Sequence, residues 1–485
     1  MKGESETAVR LPASRSLSFA CAAMKGEVLP GPELGDRTFA GAATDNRAVT
    51  PGRLFFGLPG ERVDGFDFCG AAAQAGAAAV VVVSGRGRPA GCDGIPVITV
   101  ADPRLALGDL ARAVRAQFGG RVVGVTGSNG KTTTKELIAA ALAPVGVVLR
   151  TQGNFNTDVG LPLTVLDATG DEAFWVLEMA MRGRGEIDYL ARLAQPHVGV
   201  VTNVAAAHLG RLGSLEEVAR AKGEIFHCLG ADGIAVLPAD EPLLAPDVSH
   251  LPESRQRRFG PSSVGPRGVH VRILEFVPAG VAGSVIRLSV GLEPVVARVP
   301  LAGEHNARNV AAALAVASAL DVPIVRAVEG LRTTALPPHR SRVLAAGGRT
   351  VLDDCYNANP ASMTAALRAL MTSSSARTYA ILGDMLELGP EAEELHARLG
   401  REAVAMGLSG LVAVGPLAQH IAAGASALPH DRVLAVDDAE QAAARVAGWS
   451  APGDWILVKG SRGMRLERAV DALLTHLGLA TQNTG

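Results

Sequence analysis

Aromatic residues are scarce in this chain, at 4%, and no apolar run is long enough to span a bilayer. The most apolar stretch, Ala71 to Val83, is broken by Gln74 and Gly76. It reads as a helix end, a turn and a buried strand from Ala79 to Val83. Cysteine is sparse as well. Cys21, Cys69, Cys92, Cys228 and Cys355 are scattered, odd in number and form no CxxC pair. That argues against a disulfide framework or a zinc site and for a reducing cytoplasm. Neither sign of charge is in excess: the net charge is -2, so nothing points to nucleic acid or a membrane surface. No N-terminal stretch combines a basic start, an apolar centre and a small-residue cleavage site, so no secretory signal is expected.

What is present suits a globular protein with sizeable cores: 485 residues, 48% hydrophobic and 19% charged, with 56 glycines. The length predicts about three domains. Residues 1–15 are polar and read as a loose N-terminal extension. A first α/β domain, 16–120, has strands at Leu54–Phe56, Ala79–Val83 and Val97–Val100 and helices at Asp67–Ala75 and Arg104–Phe118. A central domain, 121–336, alternates strands (Val122–Thr126, Val145–Arg150, Phe174–Met179, Val198–Val204, Ile234–Leu237) with helices such as Thr132–Ala143 and Leu215–Leu229. That alternation predicts a parallel sheet covered on both faces. Residues 257–299 look richer in strand, and Asn306–Leu320 reads as an alanine-rich helix. After the break at Pro337-Pro338, a third α/β domain, 337–485, carries strands at Thr350–Asp353, Tyr379–Leu382, Leu411–Val414 and Trp455–Val458.

The strongest local signal is Val122-Val-Gly-Val-Thr-Gly-Ser-Asn-Gly-Lys131-Thr-Thr-Thr. An apolar strand enters a glycine turn, then a lysine, then hydroxyls opening a helix. Gly127, Ser128, Asn129 and Gly130 would bring backbone N–H groups to phosphate oxygens at a helix N-terminus. Lys131 would reach the terminal phosphates, and the hydroxyls of Thr132 and Thr133 lie where Mg²⁺ and phosphate sit. The generic pattern places a glycine six residues before the lysine, where this chain has Val125. A phosphate loop alone does not separate motor, switch, kinase and ligase.

The loop Gly127-Ser-Asn-Gly-Lys-Thr-Thr133 resembles that of the Mur ligases and the related folylpolyglutamate synthetases, which share this off-pattern spacing. Further marks follow in order: Glu178, Thr202-Asn-Val-Ala-Ala-Ala-His208, Ala221-Lys222-Gly-Glu-Ile-Phe, Gly303-Glu-His-Asn306-Ala-Arg-Asn309, His339-Arg340 and Asp353-Asp354-Cys-Tyr-Asn-Ala-Asn-Pro360. The resemblance implies three α/β domains: a central P-loop ATPase domain with a parallel sheet, an N-terminal UDP-sugar-binding domain and a C-terminal Rossmann-like domain. It implies ATP and two Mg²⁺ ions held by Thr132, Glu178, His208 and a carbamylated Lys222. Catalytic roles fall to Lys131, Lys222, Arg340 and His208. Asn306 and Asn309 would meet adenine, Arg340 would bind the γ-phosphate, and Asp354 would contact the ribose or order the nucleotide from the third domain. Each position also has a plain reading. Glu178 can be a strand-end acid facing solvent. His208 can be a surface or packed histidine, Lys222 a solvated surface lysine and Asn306 a helix N-cap. Arg340 and Asp354 can belong to exposed ion pairs.

Within the family, Asp353 to Pro360, Leu382-Gly-Asp384-Met-Leu-Glu-Leu-Gly and Lys459-Gly-Ser-Arg462 resemble the branch that adds D-alanyl-D-alanine to UDP-N-acetylmuramoyl-tripeptide. Cys355 stands where that branch has a small Ser or Ala, and nothing marks it as a nucleophile. Thr44-Asp45-Asn46-Arg47 resembles the UDP-sugar segment. Phe66 stands in a nearby segment where relatives often have histidine. Asn154, Asn156 and Thr157 lie in a loop resembling the one that meets the acceptor peptide. The dipeptide is placed near Asp384 and Lys459 to Arg462, although Asp384 can simply finish a strand and Lys459 to Arg462 can be a turn. The reaction implied is an acyl-phosphate ligation in the cytoplasm by a monomer, with the third domain closing over the central one. Two alternatives remain at this stage: another amino-acid ligase of the family, or a P-loop switch acting on protein partners. A catalytically dead scaffold is disfavoured, because no expected catalytic position is lost.

Overall fold

The computed structural model describes residues 13–60, 63–205, 212–263, 268–374 and 376–478. The chain is α/β and divides into two compact units. One comprises 1–126, 145–199 and 224–234, the other 127–144, 200–223 and 235–485.

In the first unit a five-stranded sheet runs in the order Glu27–Val28, Val97–Val100, Ala79–Val83, Leu54–Phe56, Ala42–Ala43. Its strands are parallel except the first. The run Ala79-Val-Val-Val-Val83 is almost wholly buried, as expected for β-branched residues in a strand covered on both faces. The helix Pro103–Ala116 starts where it does because the Asp102 carboxylate accepts from Arg104 N and Leu105 N, and Pro103 occupies the first turn. Ala106, Leu107, Leu110, Ala111 and Val114 form its buried stripe. A second parallel group places Phe174–Glu178 between Arg121–Thr126 and Val148–Arg150. Trp175 of its central strand stacks on Phe118 with ring centroids 3.9 Å apart. Burial pushes the Arg115 guanidinium down to about 10, and its nitrogens donate to the carbonyls of Ala194 and Gln195.

The second unit contains two sheets. In one, Ile234–Pro238, Gln256–Pro261 and Val269–Pro278 pair in parallel, and Ser284–Val290 and Glu293–Val299 extend it antiparallel. The strand-rich reading of 257–299 therefore holds, but the sheet there is mixed. The helix His305–Ala319, buried along most of its length, packs on this sheet and on the helix Lys131–Leu142. Alanine allows that close approach on every side. The other sheet has the order Arg342–Ala346, Arg349–Asp353, Trp455–Lys459, Thr378–Gly383, Gly410–Val414, Val433–Val436. Only its first pair is antiparallel. The register sets Asp353 beside Val458 and Lys459 beside Leu382. The carboxyl ends carrying Asp354, Lys459 and Asp384 therefore gather at one sheet edge.

Three local readings change. Arg15, assigned to the extension, pairs with Phe39 in a short strand and is only 4% exposed; residues 1–12 lie outside the described residues. The strand read from Val145 begins only at Val148, because Ala143–Val145 forms a 3-10 turn around Pro144. The strand read to Val204 stops at Val201, because Thr202 and Asn203 turn their polar groups to the phosphate loop.

Candidate active site

The phosphate loop follows the strand Arg121–Thr126 and opens the helix Lys131–Leu142. Its two glycines are dictated by geometry. Gly127 has φ 146°, and a Cβ there would meet Thr202 Oγ1 at 1.9 Å. Gly130 has φ 75°, and a Cβ would lie 2.7 Å from Asn309 Oδ1. The residues between them are stapled to the segment after Val201. Asn129 N donates to Asn203 Oδ1 at 2.9 Å. Asn129 O accepts from Thr202 Oγ1 at 2.6 Å and from Asn203 Nδ2 at 3.0 Å. Ser128 Oγ donates to Ala205 O and accepts from Ala205 N. Lys131 Nζ curls back to donate to Gly127 O at 2.7 Å and Ser128 O at 3.2 Å. Its ammonium thus crosses the mouth of the loop. Gly130 caps the helix without a side chain, the arrangement that receives anions. Thr132 and Thr133 are buried.

Lys222 sits on the helix Leu215–His227 and is 2% exposed. This corrects its plain reading as a solvated surface lysine. Burial, and then the charge of Lys131, hold its amine well below the ordinary lysine range. Glu178, at a strand's carboxyl end in the first unit, is also 2% exposed, which corrects its reading as a solvent-facing acid. Its Oε1 accepts from Asn156 Nδ2 at 2.7 Å, and its N–H donates to Thr151 Oγ1 at 3.0 Å. Asn156 O in turn accepts from Ala180 N at 2.8 Å. The carboxylate and the Asn154–Thr157 loop are therefore one assembly, with Asn154 and Thr157 exposed. His208 lies outside the described residues.

Asn306 is not an N-cap. The helix starts at His305, and Glu304 is its uncapped N-terminal neighbour. Asn306 Nδ2 donates to Ala302 O at 2.7 Å, and its Oδ1 accepts from Asn309 Nδ2 at 2.9 Å. Asn309 Oδ1 accepts from Thr134 Oγ1 at 3.2 Å. The pair thus buttresses the turn at Gly130 from behind.

Arg340 lies on a loop whose flanking residues, His339 (φ 66°) and Ser341 (φ 47°), are both left-handed. Its guanidinium stands 3.8 Å over the Tyr356 ring. Tyr356 N donates to His339 O, and Ser341 N donates to Asp354 Oδ1 at 2.9 Å. Asp354 Oδ2 receives Lys459 Nζ at 2.5 Å, and Lys459 is 3% exposed. The Asp354 pair is therefore a buried brace and not the exposed pair that its plain reading allowed. Asp384 does more than finish a strand: its Oδ1 accepts from Ala418 N at 2.6 Å, and burial raises its carboxyl. Arg462 opens a 3-10 turn, is largely exposed, pairs with Glu467 at 3.2 Å and lies 5.6 Å from the Tyr356 ring. The Cys355 thiol is buried against Asp353 and pushed up by that burial, so it is no nucleophile. In the first unit, Asp45 caps the turn Asn46–Ala48 and is paired with Arg47 at 2.6 Å, which lowers its carboxyl to about 2. Thr44 precedes this turn, half-buried. The Arg86 guanidinium lies 4.0 Å over the Phe66 ring and bonds Asp64.

Sequence reasoning did not single out Thr134, or Asn359, whose Nδ2 reaches Asn129 Oδ1 at 2.7 Å. Local spacing carries no signal for either.

Family models match in chain order: "Mur ligase family, catalytic domain" over 38–115, "Mur ligase middle domain" over 125–317 and "Mur ligase, glutamate ligase domain" over 339–462. The UDP-N-acetylmuramoyl-tripeptide–D-alanyl-D-alanine ligase of Escherichia coli is 37% identical over 447 residues, spanning 90% of this chain and 94% of the relative. The Mycobacterium tuberculosis ligase of the same name is 38% identical over 480 residues, spanning 89% and 91%. A crystal structure of MurF from Acinetobacter baumannii superposes with TM-score 0.84 at 30% identity, covering 96% of this chain and all of that one. MurF ligase from Thermotoga maritima in complex with ADP gives TM-score 0.77 at 29% identity, covering 90% and 97%. With relatives of this identity matched along nearly their whole length, the chain belongs to the Mur ligase family.

Proposed function

We propose that this chain is the ATP-dependent ligase that joins D-alanyl-D-alanine to UDP-N-acetylmuramoyl-tripeptide, giving the pentapeptide precursor with ADP and phosphate. The observation that carries the proposal is the phosphate loop together with a buried Lys222, whose amine burial and the Lys131 charge hold well below the ordinary lysine range. A nucleotide switch has no use for that second lysine. The named relatives, matched end to end, supply the substrates.

ATP enters with its phosphates at the Gly130 turn. Lys131 gives up its carbonyl partners for the terminal phosphate, a more strongly charged acceptor. The γ-phosphoryl group passes to the tripeptide carboxylate, converting a poor acyl donor into an acyl phosphate. The free amine of the dipeptide attacks, and phosphate leaves. Arg340, stacked and braced, neutralises charge developing on the phosphoryl oxygens. Asp354, held by Lys459, faces the ribose, and Asn306 and Asn309 each keep one amide hydrogen for the adenine.

The Thr132 hydroxyl and the Glu178 carboxylate are assigned to Mg²⁺ by family resemblance, and both are hard oxygen ligands of the kind this ion takes; His208 is assigned to the same role on the same ground. Two Mg²⁺ ions, when bound, supply charge neutralisation on the phosphates. Lys222 is proposed to be carbamylated. Its neutral amine bonds to the carbon of CO₂, a proton leaves to solvent, and the resulting anion is favoured beside the Lys131 cation. The Asp45–Arg47 turn with Thr44 and Asn46 is assigned to the UDP-sugar, and Asn154, Asn156 and Thr157 to the peptide. Asp384, Lys459 and Arg462 are assigned to the dipeptide end. Among the described residues no helix is long and apolar enough to cross a membrane, and all five cysteines are free. We place the reaction in the cytoplasm, carried out by a monomer.

The test is ATP-dependent phosphate release with UDP-N-acetylmuramoyl-tripeptide and either D-alanyl-D-alanine, D-alanine or no amine, recording the product mass. Release that requires the dipeptide, with a product heavier by the dipeptide less water, is expected. Release with D-alanine alone, or none with the dipeptide, overturns the assignment.

A further inference from the structure

The sequence shows no metal-binding spacing around its cysteines, yet among the described residues the fold assembles one group of candidate metal ligands. His339, Asp353 and Cys355 place one ligand atom each within 4.8 Å of one another. Asp353 stands in the middle. Its Oδ2 lies 2.9 Å from His339 Nδ1, and its Oδ1 lies 3.2 Å from Cys355 Sγ. Donor atoms around a tetrahedral zinc ion, with bonds of about 2.0–2.3 Å, stand roughly 3.3–3.8 Å apart. The trio therefore needs only small side-chain adjustments to close on an ion.

Burial and access separate this cluster from an ordinary surface group. Asp353 and Cys355 are each 1% exposed, while the His339 side chain is 25% exposed and provides the route in. A buried carboxylate that already holds a thiol on one oxygen and an imidazole on the other offers three different donor types to one ion.

We propose that His339, Asp353 and Cys355, with a solvent ligand entering on the His339 side, form a binding site for a thiolate-seeking divalent transition metal of the zinc class. On binding, metal–sulfur and metal–nitrogen bonds form at Sγ and Nδ1. The thiol proton leaves to solvent, the proton on Nδ1 that His339 donates to Asp353 is displaced so that the imidazole is left with one hydrogen, on Nε2, and no electrons are exchanged. Mg²⁺ does not compete, because it prefers all-oxygen octahedral surroundings. The ion would pin His339, and with it the left-handed loop that carries Arg340. The site thereby joins transition-metal supply to the position of a phosphate-binding arginine. It depends on Cys355.

The test is titration of the metal-free, full-length protein with Co²⁺, followed by absorption. One equivalent is expected to produce a thiolate-to-cobalt charge-transfer band in the near ultraviolet, with d–d bands of four-coordinate intensity, all bleached by Zn²⁺. Cys355→Ser should abolish the charge-transfer band. His339→Gln, which keeps the thiol and alters a partly exposed residue, should weaken Co²⁺ binding by at least about 10-fold. Circular dichroism reports whether each variant folds. Absence of the band in the unaltered protein overturns the proposal, as does its survival in Cys355→Ser. If Cys355→Ser does not fold, unchanged Co²⁺ affinity in His339→Gln overturns it and the weakened binding supports it.

Discussion

Asn359 Nδ2 donates to Asn129 Oδ1 at 2.7 Å, joining the start of a helix near the carboxyl-terminal sheet to the middle of the phosphate loop across 230 positions of sequence. Asn359 is itself fixed. Its Oδ1 caps the helix Pro360–Ser373 by accepting from Ser362 N, and Ser362 Oγ returns a bond to the Asn359 backbone. Asn129 is held on its other side by Asn203 and Thr202. The loop conformation that receives phosphate is thus set partly by residues beyond position 337.

Asn359→Ser separates the two roles of this residue, because serine caps helices nearly as well but has no amide donor. Losing one such bond costs about 0.5–1.5 kcal/mol. We expect kcat/KM for ATP to fall by about 3- to 10-fold with little change in melting temperature. An unchanged kcat/KM would show the contact to be incidental.

Gly127→Ala should abolish nucleotide binding. The new methyl would overlap Thr202 Oγ1, at 1.9 Å, in a backbone region that L-residues avoid. Calorimetric titration with ADP measures this, and affinity within about 3-fold of the unaltered protein, or about 0.7 kcal/mol, would contradict the geometry.

Lys222→Met should remove activity yet stabilise the protein at neutral pH in CO₂-free buffer. The folded-state pKa of Lys222 lies below its unfolded value. Between the folded pKa and the unfolded value, about 10.4, the unfolded chain therefore binds an extra proton. The cost to the fold grows as pH falls from there to the folded pKa and is constant below it. Methionine has no such cost. A rise in melting temperature of about 2 °C or more at pH 7 is expected, and a fall would show that the amine is stabilising as it stands.

Arg340→Lys keeps the charge but loses the planar face that stacks on Tyr356 at 3.8 Å. We expect kcat to fall by about 100-fold, comparable with the loss of a donor to developing charge, and Tyr356→Leu to give a smaller loss in the same direction. Steady-state kinetics for both variants decide. Equal rates in Arg340→Lys and the unaltered protein would remove the arginine from its assigned role.

Stability should decline on mild acidification through His197. Its Nδ1 accepts from Val122 N at 2.9 Å, and burial lowers its pKa to about 4. Because the folded pKa is depressed, the unfolded state takes up the proton first. Stability is lost as pH falls from about 6.5 toward about 4. His197→Gln should flatten that part of a denaturation-midpoint profile, and an unaltered slope would place the effect elsewhere.

The sequence by itself determined the elements and the chemistry of the phosphate loop. Runs such as Ala79 to Val83 are buried strands because β-branched residues suit a sheet covered on both faces. Gly127, Gly130 and Lys131 could be read because close backbone approach and a cation at a helix start are needs of neighbouring residues. Tertiary structure alone decided what distant residues do to one another. Lys222 has the sequence of a surface helix position, and only packing removes its water. Asn306 follows a loop as an N-cap would, but its amide is taken by Ala302 and Asn309. Arg15 looks like part of a polar tail until a strand partner and a carbonyl receive it. His339, Asp353 and Cys355 meet because the hairpin at Gly347-Gly348 brings the loop before it back onto the strand that follows. Periodicity records which face a residue occupies along its own element. It does not record which other element covers that face, and desolvation, hydrogen-bond partners and shifted pKa values all depend on that cover.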